Sequence, residues 1–521
     1  MFDWVDMFWS RCRKFGLGLA VVYALCSGGV APVQALPLPG GEVELAQGQG
    51  ESQQESEQIP ESSEESSGSV VQNSEDAENS SEASVPEDET SSSAGISEPK
   101  SSQPDLSSEV GASAAEPALQ RRLDRLTQRV QNVRGLRFKK KVDCNFCTRA
   151  QASQYIDQAN AQYAKPEVTA RREWFYRLLG LLSGTDTLEE CVSGLYSEQI
   201  SGLYDTINKV LLVVTDIVQD PSPTNIISKL LEQFDIDLSD ILLAHELCHA
   251  LQDQNFNLGS NLLSVDGNLD RELALSALAE GDATDTMFAF LSSSMGLNNQ
   301  LLSNYLSGSP KIIRDGVGQF PKLKNAPAIV RETTLMPYLE GLNFCRELHK
   351  QGRAYGVDVD TAFKRFPQST EQILHPSKYI RNEDNPKAVD LSGLPKQFGD
   401  YLSLGDDTAG EFIIKTWVES SLGDKNRAVN VASGWAGDRW RTYVKKRGNT
   451  GLADGKESFI VWLTAWDTEP DAGQFKAAAE EILGNRAFVK KSGSNVVVTV
   501  NVPVRWSAGV RAAVDKIRAV K

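Results

Sequence analysis

Two histidines four residues apart, with a glutamate directly after the first, constrain this chain more than any other feature. They lie in the run Ala244-His245-Glu246-Leu247-Cys248-His249-Ala250-Leu251-Gln252-Asp253. Ser239 and Asp240 supply a helix N-terminal signal, and the run predicts a helix from about 239 to 254. On a helix, residues four apart share one face, one turn apart. Two imidazoles so placed can hold one Zn²⁺ through a nitrogen each. Glu246 then projects beside the first ligand, where it can take a proton from a water acidified by the metal. The chain has only four histidines, so a chance pairing at this spacing is a poor explanation.

A catalytic zinc wants three protein ligands and one open position. No third histidine follows closely; His349 and His375 are far along the chain. A second long helix is expected over Leu269 to Met295, and it carries Leu278-Ala279-Glu280-Gly281-Asp282-Ala283. A carboxylate inside such an Ala-rich apolar stretch needs a partner or a metal. Glu280 is therefore assigned as third ligand, completing a His245, His249, Glu280 set for one zinc ion. Asp282 and Asp285 compete to orient the histidines through their other ring nitrogens. An acid or hydrogen-bond donor must also face the developing oxyanion, and His375 and Tyr379 are the candidates. The alternative is that Glu371, His375 and Tyr379 simply knit a loop to the core. His349, in a charged helical stretch, is expected to face solvent.

The rest of the chain sorts into four segments. Arg11, Arg13 and Lys14, the apolar run Phe15 to Cys26 and the small residues of Val33-Gln34-Ala35 have the layout of a signal peptide over residues 1–35. Residues 36–116 are rich in Ser, Glu, Gln and Pro and read as a disordered acidic linker. From Gly41 to Glu116 there are 19 acidic residues and one basic residue, Lys100, a balance of −18; the whole chain carries −17, so the remainder sums to +1. The acidity belongs to the linker, and no nucleic-acid partner is implied. Membrane contact is expected only through an uncleaved N-terminal segment. Residues 117–450 form the catalytic domain, and 451–521 an α/β subregion on or continuing it. Oligomeric state is open.

Leu119, Leu123, Leu126, Val130 and Val133 predict a first helix ringed by arginines. Arg137 to Phe146 reads as a strand, and Thr148 with Gln151 as a capping box opening a helix at Arg149. Trp174 to Leu182 reads as helical. Lys209 to Val214 reads as a strand, either an edge strand above the metal or an interior one. Strands are expected at Phe459 to Leu463 and Asn495 to Val502, with a helix over Gln474 to Leu483 between them. Beyond the signal region there are five cysteines, too few and too scattered for a disulfide scaffold. Cys144 and Cys147 have CxxC spacing without a second pair, and read as ordinary cysteines.

HELCHALQDQ (His245 to Gln254) with EGDA (Glu280 to Ala283) resembles the gluzincin-type HExxH zinc metalloproteases found among exported bacterial proteins. STEQILHPSKY (Ser369 to Tyr379), GWAGDR (Gly434 to Arg439) and VRGLRFKKKV (Val133 to Val142) resemble further motifs of that group. The resemblance covers roughly Val130 to the C-terminus. It implies an α+β, predominantly helical, zincin-like fold and an exported peptidase, periplasmic, cell-surface or secreted, acting on a peptide or protein. The same zinc chemistry would also serve an amidase on cell-envelope material, and a catalytically silent zincin-fold binding protein would keep the helix without the chemistry.

Overall fold

The computed structural model describes residues 116–519, apart from 164–165, 184, 198–201, 216–232, 266, 301–303, 305–313, 315–320, 352–355, 382–383, 448–450 and 453–456. The expected signal peptide and nearly all of the acidic linker lie outside the described residues. The fold is α+β and predominantly helical. No described helix is long and apolar enough to cross a membrane.

In chain order, the elements that position the site begin with α1 (Glu116–Arg134) and β1 (Asp143–Cys147). Then come α2 (Arg149–Tyr163), α3 (Pro166–Leu179), β2 (Gly202–Asp205) and β3 (Val210–Val214). The long helices α4 (Leu238–Phe256), α5 (Leu269–Ser294) and α6 (Ala328–His349) follow, then the short α7 (Thr370–Leu374). The C-terminal part contains β4 (Gln397–Phe398), β5 (Tyr401–Asp407), α8 (Gly410–Leu422), β6 (Trp435–Arg447), β7 (Ser458–Trp466), α9 (Glu469–Leu483), β8 (Ala487–Ser492) and β9 (Asn495–Val500).

The first helix forms as its stripe predicts. Leu123, Leu126, Val130 and Val133 are buried against Leu243, Leu247 and Leu251 of α4. The expected strand from Arg137 shrinks to Asp143–Cys147. Side chains take the earlier backbone bonds: Gln131 accepts from the Phe138 amide, and Gln254 from those of Lys139 and Lys140. A backbone satisfied this way has no need of a ladder. The capping box at Thr148 is present, with reciprocal bonds of 2.8 and 3.2 Å between Thr148 and Gln151. Helix α3 starts earlier than expected, at Pro166, and stops at Leu179, where Gly180 takes a positive φ of 80°. A proline suits a first helical turn, and a left-handed glycine ends one.

β1, β3 and β2 form one sheet in that order, with β3 parallel to β1 and antiparallel to β2. The Lys209–Val214 run is thus the central strand, and β2 is an edge. A second, seven-stranded sheet has the order β8-β9-β7-β6-β5-β4, with Gly451–Leu452 pairing against β6. Trp440 of β6 faces Trp462 of β7 in register. The expected boundary at 450 therefore falls between two paired strands of one sheet.

That sheet holds the start of α5. Asp407, at the end of β5, accepts a 2.7 Å bond from the Leu269 amide. The same carboxylate pairs with Arg172 of α3 at 2.9 Å, and Arg172 reaches on to Glu272 of α5 at 2.8 Å. Burial alone would raise the Asp407 carboxyl, but Arg172 and Arg171 outweigh it and hold it at about 2. Phe175 of α3 stacks on Trp440 with ring centroids 4.2 Å apart. Sheet, α3 and α5 are thereby locked in one register.

Candidate metal centre

Helix α4 opens at Asp237, whose side chain accepts from the Ser239 amide, and closes at Asn257 in the left-handed conformation with φ 54°. The expected helix is present, with its cap two residues before the expected Ser239. From Ile241 to Asp253 every residue is buried. A helix buried all round shows no single apolar stripe, so its two histidines face a neighbouring helix rather than water.

That neighbour is α5. His245 Nε2 lies 3.2 Å from Glu280 Oε2, His249 Nε2 lies 3.3 Å from the same oxygen, and the two Nε2 atoms are 3.2 Å apart. All three side chains are buried. Zn–N and Zn–O bonds of about 2.0–2.1 Å in a tetrahedron would separate such donors by about 3.3–3.4 Å. The near-equilateral triangle matches one face of that tetrahedron.

Protons support the same reading. The Gln252 amide nitrogen donates to Asp282 Oδ2 at 2.8 Å and to the Ala279 carbonyl at 2.9 Å. Its oxygen therefore faces His249 Nδ1, 2.9 Å away, which must donate to it. This leaves a lone pair on His249 Nε2, directed at another nitrogen and a carboxylate oxygen. His245 Nδ1 and Glu280 Oε1 are buried and have no hydrogen-bond partner among the described residues. Burial alone would raise the Glu280 carboxyl, but His249 and His245 outweigh it and hold it at about 2. Three inward-facing donors with so few protons between them suit a cation, and the residues present fit zinc.

Glu246 leans toward β2. Its Oε2 accepts a 2.9 Å bond from the Tyr204 amide. Burial pushes its carboxyl up to about 7, against the opposing pull of His245 and that amide. The Tyr204 hydroxyl donates to Asp253 at 3.1 Å, and Lys209 pairs with Asp253 at 2.7 Å, so the edge strand is tied to α4.

Neither Asp282 nor Asp285 bonds His245 or His249 directly, which corrects the expectation for both. Asp282 acts through Gln252 and is itself paired with buried Arg134 at 2.6 Å. Asp285 instead holds His349 at 3.0 Å. His349 is a correction too: its side chain is only 4% exposed. The negative charge on the neighbouring helix draws it inward, a pull that a one-dimensional pattern of charges does not show. Replacing Gln252 with Leu should remove the acceptor that sets the His249 tautomer. Zinc affinity, measured by competition with a chromophoric chelator, should fall about 10- to 100-fold.

His375 and Tyr379 are held by other partners. His375 caps the end of α7, as its place before Pro376 implies, but its Nε2 bonds Glu411 of α8 at 2.9 Å. The Tyr379 hydroxyl donates to the Arg365 carbonyl at 2.6 Å. Tyr379 also lines a cavity with Asp270, which is ten residues, or about 15 Å, along α5 from Glu280. The structure thus does not bring either residue to the histidines. The tyrosine that does come near is Tyr338 of α6, whose ring lies at 18° to that of His245 with centroids 6.1 Å apart. Its one sequence signal is its position beside Pro337 in an otherwise helical run. Glu371, Asp384 and Asp467 also lie within mutual reach, but Lys378 occupies their centre. The five described cysteines are thiols rather than disulfides, and Cys248 is fully buried, as expected for an ordinary core thiol.

Comparison with known proteins adds little to this geometry. Residues 398–518 match a domain of unknown function, DUF8575, which lies wholly outside the histidine and glutamate triad. No curated protein matches the chain. Among solved structures, the chain is similar to a Chloroflexus aurantiacus protein provisionally described as a hydrolase with a novel fold. Identity is 15% and the TM-score 0.30, covering 53% of this chain and 92% of that one.

Proposed function

We propose that this protein is a zinc-dependent peptidase of zincin-like fold that acts outside the cytoplasm. The observation that carries the reading is the buried triangle of His245, His249 and Glu280 donors with Glu246 one residue from the first of them. Export is inferred from the basic patch, apolar run and small residues of the N-terminus.

A zinc ion held there would supply a Lewis acid for a carbonyl oxygen and an acidified water. The chain's own work falls to Glu246. Anchored through Oε2 by the Tyr204 amide, it keeps Oε1 for the attacking water. It takes a proton as the water oxygen bonds the carbonyl carbon. It returns that proton to the nitrogen as the C–N bond breaks, which regenerates the carboxylate. Gln252, Asp282 and Arg134 hold His249 with its ligating nitrogen deprotonated. Strand β2 carries Tyr204 and is an edge of its sheet, and its side chains are buried.

The purified chain should contain one zinc ion by elemental analysis and should cleave unstructured peptides in a library read by mass spectrometry. A chelator should abolish cleavage and added zinc restore it. Release of products from cell-envelope material alone would move the assignment to an amidase. Zinc binding without hydrolysis of either substrate would leave a binding protein.

A further inference from the structure

The geometry points to a second binding site, separate from the metal centre, that takes a small organic anion bearing a carboxylate or phosphate group. It is a cavity of about 590 Å³ where the start of α5, the loop after α7 and strand β6 meet. Pockets of a few hundred cubic ångströms are the usual size for small-molecule ligands.

Two sequence motifs with no part in the metal chemistry converge on this cavity. From Ser369 to Tyr379, Gln372 and Tyr379 line it; from Gly434 to Arg439, Trp435, Gly437, Asp438 and Arg439 do. Gly437 has a local reason to be glycine: a Cβ there would stand 2.4 Å from the Lys387 carbonyl oxygen. That close approach pins the Lys387 loop onto β6, where the Lys387 amide also donates to the Ala436 carbonyl.

The charges are one-sided. Arg271, Arg365, Lys387 and Arg439 all line the cavity. Its two carboxyl groups do not balance them. Asp438 is consumed by four donors, the Ala409 and Gly410 amides and the Trp435 and Trp462 indoles, all at 2.8–2.9 Å. Asp270 is buried against the amide and hydroxyl of Thr370, and burial pushes its carboxyl up to about 8. Of the cations, Arg439 lies 3.7 Å from Asp406, and the Lys387 ammonium donates to the Trp466 carbonyl with Asp467 within electrostatic reach. Arg271 Nε is buried with no hydrogen-bond partner among the described residues. A guanidinium left this way is best satisfied by an oxyanion, whose two oxygens match its planar donors. Gln368 and Gln372 also line the cavity, their amides bonded to each other's segment and to Phe366, Asp384 and Asn385, which holds this wall in place.

The test is calorimetric titration of the full chain with inorganic phosphate and, separately, with glutarate at fixed ionic strength. At least one probe should bind the wild type, and which one binds identifies the anion class. Arg271→Gln should weaken binding about 10- to 100-fold, as expected for lost charge-assisted hydrogen bonds. Lys387→Gln, at an exposed position, should keep the native fold, checked by its melting temperature, and should show a smaller loss in the same direction. Arg427→Gln, which breaks an exposed pair with Glu481, should bind as the wild type does. The site is refuted if neither probe binds at millimolar concentration. It is also refuted if binding survives both cavity substitutions unchanged, since the anion is then held elsewhere, the metal included.

Discussion

Replacing Glu246 with Gln is expected to leave one zinc ion bound and to cut peptide hydrolysis by about 10²- to 10⁴-fold. Glutamine preserves the volume of the side chain, and its oxygen can still accept from the Tyr204 amide, 2.9 Å away in the native protein. The three donors are untouched. What is lost is a group beside them able to take a proton from water and hand it on. Steady-state cleavage of a fluorogenic peptide, paired with elemental analysis of the same sample, separates the two effects. Unchanged cleavage with zinc in place would remove Glu246 from the mechanism. Loss of both together would mean that the substitution damages the site itself.

The second large effect is expected at a residue with no chemistry. Gly281 follows Glu280 directly, at the crossing of α5 and α6. A Cβ on Gly281 would stand 2.2 Å from the backbone carbon and oxygen of Gly341, and a Cβ on Gly341 would stand 2.1 Å from the Ala277 carbonyl oxygen. These are backbone atoms, so no side chain can swing aside. The two helices must separate, and overpacking of a dense core commonly costs about 1–3 kcal/mol. Gly281→Ala should lower the melting temperature and weaken zinc binding together, because the shift is applied one residue from Glu280. Gly341→Ala should behave alike. Gly473→Ala, on a helix with nothing within 4 Å of its Cβ, should leave zinc binding alone and be neutral or mildly stabilising. A stable Gly281→Ala protein with native zinc affinity would show that the helix contact does not set the position of Glu280.

Both outcomes bear on how much was readable from residue order. The histidine pair was legible because four residues is a helical repeat, and a helix is specified by neighbours in the chain. Glu280 was legible for a related reason: a carboxylate inside an apolar helical run is costly without a partner. Long helices, the capping box at Thr148 and the short helix ending at His375 were legible on the same local grounds.

The misses share the opposite character. Gln252 carries no signal of its own, yet its amide sets the His249 tautomer because Ala279 and Asp282, on another helix, fix which way it points. His349 sits among charges in the sequence and is drawn under the surface by Asp285. His375 and Tyr379 have the right chemistry for an oxyanion donor, but packing gives them to Glu411 and Arg365, while Tyr338 comes to His245. The first sheet is closed by β3 at its centre, so the strand beside Glu246 is the less conspicuous β2.

The sequence by itself determined the helix that presents His245, Glu246 and His249, and the carboxylate that answers them, because periodicity and the cost of burying charge act along the chain. Only the tertiary structure decided what surrounds them. Which groups meet across two helices depends on approach distances such as that of Gly281 to Gly341, and these follow from the packing of the whole core rather than from any local stretch.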